Sequence, residues 1–359
     1  MPGRSRAPLR ELDARRIALL KPSALGDIIH SLPVLTALRH RFPRATITWI
    51  VNRSYEPLLH GHPDLDETLA FDRSAARSGL AAAVTTYVGF LRELRRRRFD
   101  LLIDLQGLLR SGLMALVSGA TRRVGLSTAR EGATWFYTDV VHVADFNAIH
   151  AVDRYWRIAE DLGAGAGPRT FTLPILPEAR AWAEQTLRDL PRPWIVLGVG
   201  SRWPTKRWLP DHFVTLTGRA LGRFGGSVVF VGSAEEAPLA AAVCARLIGP
   251  ALDLTGRTTL PRLSALLSRC DVMVANDTGP LHLAAALGRP VVAPYTCTRN
   301  HLTGPYGAGS GVVETDVWCK GSYVKRCRRM ECMAELTPER LWPPLCEVLE
   351  TWENRARSA

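Results

Sequence analysis

Asp27, Lys206 and the run Asp277-Thr278-Gly279 with His282 are residues whose types and neighbours could activate a hydroxyl and hold a phosphate. Asp27 closes Lys21-Pro22-Ser23-Ala24-Leu25-Gly26, directly after the apolar Ile17 to Leu20. A carboxylate there can take a proton from a sugar hydroxyl within hydrogen-bond reach, or it can cap a helix as a structural residue. Lys206 stands in the loop Gly200-Ser201-Arg202-Trp203-Pro204-Thr205-Lys206-Arg207-Trp208, a compact cation suited to a ground-state or leaving phosphate. Its structural alternative is a plain surface lysine, weakened by the flanking tryptophans. Ser201 could donate to the same phosphate or simply end its strand. Glu235 and Glu236 follow the Gly232 turn, where a carboxylate can accept ribose hydroxyls or favour a helix start. His282, four residues beyond Thr278, shares its helix face and could reach a phosphoryl oxygen, although a histidine in an apolar helix is also a core residue. Arg130 and Arg154 could clamp phosphate or carboxylate in two-pronged fashion, or form surface ion pairs.

Strand, turn and helix units must position these groups. In Val272 to Tyr295 a buried strand breaks at Asn276, Pro280 fits a first helical turn, Gly288 stops the helix, and Val291 opens another strand. Such a turn leaves free N–H groups at the sheet's carboxyl edge, an anion site for which a pyrophosphate is the working ligand. Near the start, Ile28, Ile29, Leu32, Leu35 and Leu38 recur at helical spacing; Pro33 predicts a regular helix beginning close by, capped by Ser31. Strands are predicted over Thr46 to Val51, Leu101 to Leu105, Trp194 to Val199 and Ser227 to Val231. Phe90 to Arg98 reads as part of a basic helix, and another helix falls near Glu178 to Leu190. Strands alternating with helices predict an α/β chain of two doubly wound, Rossmann-like parallel sheets facing across a cleft. Gly163 to Pro168, GAGAGP, is the linker, so the domains are 17–168 and 169–336 after a basic tail at 1–16.

The 359 residues suit two domains, and 47% hydrophobic with 22% charged residues describes a globular chain without an 18-residue apolar run. The tail mixes arginines with Glu11 and Asp13 and the apolar run behind it is short, which reads as a cytoplasmic protein, not a secreted one. A net charge of +12 favours nucleic acid, an anionic membrane face or phosphorylated substrates. No RNP, zinc-finger or helix-turn-helix pattern supports nucleic acid. The 7 cysteines are no disulfide framework, and Cys319, Cys327 and Cys332 with Cys297 upstream lack paired CxxC spacing, so they read as free thiols in a basic surface loop, with a metal knot as the alternative. Neither a Walker loop nor a GxGxxG after the first strand is present, which speaks against a dinucleotide dehydrogenase.

KPSALGDIIHSLPVL, DLQGLLRSG, TAREG followed by HAVDR, GSRWPTKRW and NDTGPLHLAAALGRP occur in that order, and together they resemble the lipopolysaccharide heptosyltransferases of glycosyltransferase family 9, nearest the type I members. The resemblance spans about Ile17 to Leu341. It implies a GT-B fold with an N-terminal acceptor domain, a C-terminal nucleotide-sugar domain, and a last helix, within 337–359, packing back toward the first domain. It also implies inverting transfer of heptose from ADP-heptose to the Kdo region of an anionic inner-core glycolipid, without cofactor or metal. Contact with the cytoplasmic face of the inner membrane follows. On this resemblance Asp27 is the base; Ser201, Lys206, Glu236, Asp277, Thr278, Gly279 and His282 bind the donor; Arg130 and Arg154 meet the acceptor. Two departures stand out: Ser201-Arg202 replaces a pair of hydroxyl residues, and Phe71 to Gly89 offers only Arg73 and Arg77 as acceptor cations. The rival readings are a family member with another activated sugar or acceptor, and a nucleotide or glycolipid binding module.

Overall fold

The computed structural model describes residues 7–72, 79–307 and 311–358. The chain divides into two units after Pro174, not at the predicted linker 163–168; the six residues beyond the linker stay with the first unit.

In the first unit the strands are β1 (Arg16–Leu20), β2 (Thr46–Asn52), β3 (Glu67–Phe71), β4 (Leu101–Asp104), β5 (Arg122–Leu126) and β6 (Asp139–Val141), with helices α1 (Leu25–Arg41), α2 (Leu80–Arg96), α3 (Leu109–Ser118) and α4 (Ala151–Asp161). They form one six-stranded sheet in the order β3-β2-β1-β4-β5-β6, every pairing parallel. Ile17 to Leu20 are fully buried because β1 is central and covered on both faces. Leu19 stands opposite Trp49 on one side and Ile103 on the other. Ile28, Ile29, Leu32 and Leu35 lay one stripe of α1 into the core, each such burial worth about 1.5–3 kcal/mol.

The predicted start of α1 needs correction. The helix begins at Leu25 and runs through Pro33, and Ser31 is not its cap but bonds the Asp27 carbonyl at 2.8 Å. The apolar stripe on both sides of Pro33 outweighs the one backbone bond that the proline cannot donate. Phe90 to Arg96 is indeed part of a basic helix, which starts at Leu80.

The second unit holds β7 (Trp194–Gly198), β8 (Ser227–Phe230), β9 (Ala251–Asp253), β10 (Val272–Ala275), β11 (Val291–Tyr295) and β12 (Val312–Glu314). Its helices are α5 (Pro177–Leu187), α6 (Pro210–Phe224), α7 (Ala237–Cys244), α8 (Leu260–Leu267), α9 (Gly279–Ala286), α10 (Asn300–Thr303), α11 (Glu331–Glu335) and α12 (Pro338–Ser358). The sheet order is β12-β11-β10-β7-β8-β9, again all parallel. The final helix, expected to reach toward the first domain, seats Leu341, Leu345 and Leu349 in the core of its own unit with Phe213, Leu216 and Ala220 of α6. A spacing of four residues gives that apolar stripe, and the Arg219 guanidinium covers the Trp342 ring at 3.9 Å.

Candidate functional site

Each sheet reverses its winding once, at β1 and β4 in the first unit and at β7 and β10 in the second. Loops leaving the carboxyl ends of two strands that wind in opposite senses diverge and leave a crevice, where open α/β sheets bind ligands. Asp27 follows β1 and Asp104-Leu105-Gln106-Gly107 follows β4; Ser201 and Lys206 follow β7, and Asp277 follows β10. The candidate residues therefore occupy the switch point of each unit.

In the second unit Asp277 is 7% exposed and every side of its carboxylate is engaged. Lys206 Nζ and the Thr298 hydroxyl donate to Oδ2 at 2.5 and 2.7 Å, and His282 Nε2 stands 3.2 Å from Oδ1. Burial pushes the Asp277 carboxyl up, but the bond to His282 and the Lys206 charge outweigh it and hold it well below the usual carboxylate range. Asp277 is thus the anchor of the cation and the histidine and not a helix cap. Thr278 takes the cap position of α9 without a side-chain cap bond, its hydroxyl donating to the Asn276 carbonyl at 3.2 Å. Asn276, fully buried, is the tie that aligns the two loops: its amide donates to the carbonyls of Val199 and Gly200 at 2.8 and 3.2 Å and accepts from Trp208 N–H at 3.0 Å. Lys206 lies 4.7 Å from the centre of the Trp203 ring, so the tryptophans do order this loop.

Glu236, in preference to Glu235, turns inward. It is half-buried whereas Glu235 is exposed, and its Oε2 accepts from Ser233 N–H at 2.8 Å. A Cβ on Gly200 would come within 2.2 Å of the Glu236 carboxyl carbon, so only glycine lets this carboxylate lie across the β7 loop. Ser201 is buried beside it, its carbonyl accepting from Arg207 Nε at 2.6 Å.

In the first unit Asp27 sits in the third position of α1, half-buried, and its Oδ2 accepts from Ala24 N–H at 3.1 Å, reaching back over the helix start as an acidic residue of the first turn often does. Beneath it Lys21 is 3% exposed and donates to the Leu105 carbonyl at 2.9 Å and the Tyr155 hydroxyl at 2.8 Å. Burial lowers the Lys21 ammonium, but Asp27, Tyr155 and Asp104 together raise it above its ordinary value, so it stays charged. Asp104 is buried too; burial raises its carboxyl while Tyr137 O–H, at 2.7 Å, and the N–H groups of Gln106 and Gly107 satisfy it. Arg130 is exposed, its backbone N–H fixed to the Gly107 carbonyl at 2.8 Å, while Arg154 is buried on α4 with its guanidinium 4.5 Å from the Phe146 ring centre. Arg73 and Arg77 lie outside the described residues. A concavity of about 380 Å³ lined by Arg16, Thr46, Glu67 and Arg97 opens at the amino ends of the strands, the edge opposite Asp27.

Residues 88–333 match the sequence pattern described as Glycosyltransferase family 9 (heptosyltransferase). Lipopolysaccharide heptosyltransferase 1 of Pseudomonas aeruginosa is 30% identical over 319 residues, covering 87% of this chain and 87% of that one. The chain belongs to glycosyltransferase family 9. Its two doubly wound units are the GT-B arrangement of solved relatives: the family 9 glycosyltransferase of Veillonella parvula superposes with a TM-score of 0.80 at 24% identity, covering 95% of this chain and 99% of that one. The ADP-heptose lipopolysaccharide heptosyltransferase II of Escherichia coli gives 0.74 at 25% identity, covering 94% and 99%.

Sequence reasoning about this family 9 glycosyltransferase missed Lys21, Asn276 and Thr298. Asn276 and Lys21 stood inside quoted motifs, and their burial is the only further signal; Thr298 lies 21 residues from its partner. The geometry also sets a pH dependence. The folded Asp277 carboxyl is held below its unfolded value of about 3.9, so its stabilisation is complete above that pH and is lost as pH falls through the folded value. Urea unfolding of the wild type and of Asp277→Asn should therefore differ at pH 7 and converge as pH drops below about 4. A gap that stays constant into acid would rule out an ionised Asp277.

Proposed function

We propose that the protein is an inverting heptosyltransferase that moves heptose from ADP-heptose onto the Kdo region of a lipopolysaccharide inner-core acceptor at the cytoplasmic face of the inner membrane. The second unit takes the donor and the first takes the acceptor. Asp27 removes the acceptor proton, the resulting oxygen attacks the anomeric carbon, and the bond from that carbon to the diphosphate breaks in the same displacement. Lys206, held by Asp277, takes the negative charge that grows on the departing ADP, helped by His282 and the N–H groups at Thr278 and Gly279. Glu236 accepts the ribose hydroxyls and Ser201 donates to a phosphate oxygen. Arg130 and Arg154 receive the acceptor's carboxylate or phosphate.

The observation that carries this reading is the half-buried Lys206 held on the buried Asp277–His282 pair at the switch point of the second sheet, in a chain of family 9. A histidine and a lysine fixed on one carboxylate beside a helix start suit a diphosphate better than a neutral sugar. The heptose donor is drawn from the solved relative whose name includes ADP-heptose. A panel of nucleotide sugars, each incubated with Kdo-bearing lipid A and followed by nucleotide release and mass spectrometry of the lipid, tests it. ADP-heptose should be the donor that leaves a single added heptose on the lipid. Transfer from another nucleotide sugar in preference to it would overturn the donor, and transfer only to a lipid lacking Kdo would overturn the acceptor.

A further inference from the structure

The outer face of the first unit exposes apolar side chains along two neighbouring helices. Val84, 53% exposed, and Tyr87 and Val88 form the outward stripe of α2; Leu109, Leu113 and Leu116, the last 45% exposed, form that of α3 at spacings of four and three residues. The helices lie side by side in the same sense. Tyr87 is close enough to Arg110 to feel its charge, and the Arg95 guanidinium rests against Gly119 at the far end of α3. Across α3 from α2 stands the helical turn Ala133–Phe136, packed so closely that a Cβ on Gly112 would come within 2.8 Å of the Phe136 ring. That turn projects Trp135, 84% exposed, at the border of the same face.

The apolar stripe continues into positive charge. Arg92 and Arg96 follow Val88 at successive spacings of four along α2, and Arg92, Arg95, Arg96 and Arg110 are all exposed. The carboxylates nearby are occupied: Glu93 is taken by Arg96 and Arg97, and Glu131 accepts Leu109 N–H at 3.2 Å. An apolar strip with a tryptophan at its edge and arginines beside it is the composition of a surface that lies in a lipid–water boundary. A second copy of this chain is a poor occupant, because a two-fold contact sets each patch against itself and would bring the arginines together. No helix among the described residues is long and apolar enough to cross a membrane, so the contact would be a surface one. The starts of α2 and α3, with Val84 and Leu109, lie toward the carboxyl edge of the sheet, the edge that carries Asp27.

We infer that the outward face of α2 and α3, bordered by Trp135, docks the enzyme on an anionic phospholipid bilayer. This deepens the reading of a lipid-linked acceptor by assigning the surface that meets the membrane, yet it concerns the bilayer itself and needs no acceptor in it. The full chain and its Trp135→Phe variant are mixed with phosphatidylcholine vesicles and with vesicles containing about a third phosphatidylglycerol, both free of glycolipid, and binding is read by flotation and by the difference in tryptophan emission between the two proteins.

Flotation with the anionic vesicles should exceed that with the neutral ones and weaken with salt, and the wild type should show a blue shift of tryptophan emission that Trp135→Phe lacks. Arg92→Ser with Arg110→Ser should lower partitioning roughly 25-fold, from about fivefold per arginine. Leu113→Asp with Leu116→Asp should abolish it. These side chains are exposed, so circular dichroism and turnover on a short-chain, micelle-free acceptor should match the wild type, which separates a failed docking face from a failed catalytic reading. Equal flotation of wild type and both variants would overturn the inference, as would no binding to anionic vesicles. A self-associated wild type that the leucine variant renders monomeric, with no vesicle binding, would reassign the face to a contact between copies.

Discussion

Asp27→Ala should lower the turnover of heptosyl transfer by about 10²- to 10⁴-fold, the range that a positioned general base contributes, with ADP affinity by calorimetry within about twofold of the wild type. The two halves of this expectation rest on different observations. Asp27 belongs to the first unit, whereas Lys206, Asp277 and His282, the group proposed to hold the diphosphate, belong to the second, so on that reading removing the carboxylate leaves the nucleotide's contacts in place. Asp27 also accepts Ala24 N–H at 3.1 Å, and a purely structural carboxylate would lose only that bond, about 0.5–1.5 kcal/mol of stability. Asp27→Asn separates the roles: its amide oxygen can still accept from Ala24, but it cannot take a proton at neutral pH. Both variants should therefore be equally slow while Asp27→Asn keeps more of the thermal stability. Near wild-type transfer by Asp27→Asn would remove Asp27 from the chemistry.

How much of this could be read from the sequence depends on the range of the interactions. The β10–α9 unit was legible because each signal is local: an apolar run ending at Asn276, a proline that fits only a first turn, and Gly288 with φ +70 just past the helix end. The central strands β1, β2, β4, β7 and β10 were legible for the same reason, as continuous apolar runs buried on both faces. The edge strands β9 and β12 are three residues long and only partly buried, too short to show a period. Charge compensation was invisible. Lys206 and Asp277 lie 71 residues apart, Lys21 and Tyr155 lie 134 apart, and nothing along the chain marks which of its 4 lysines will lose its water. The first helix misled because proline is usually a boundary; here buried leucines and isoleucines before and after Pro33 keep one helix going.

Lys206→Ala should reduce kcat/KM by about 10²- to 10³-fold, the loss typical of removing one preorganised donor to a developing negative charge, and should also weaken ADP binding. On the proposed reading Lys206, unlike Asp27, meets the phosphate in the ground state as well as during departure, so affinity and turnover fall together. The Lys206–Asp277 pair adds a second consequence. With the lysine gone, Asp277 remains buried among Thr298, His282 and Tyr295, and the carboxyl that Lys206 helped to hold low should rise. The variant should then lose stability at a higher pH than the wild type as acid is added. Lys206→Arg tests geometry against charge: it keeps the positive charge, but a planar guanidinium cannot enter the ammonium's position 2.5 Å from Asp277 Oδ2 without displacing Thr298 or Trp203. Arginine should therefore recover part of the ADP affinity and little of the turnover. If Lys206→Ala binds ADP as tightly as the wild type, the lysine serves only to neutralise Asp277, and the phosphate must be held by the helix start and His282 alone.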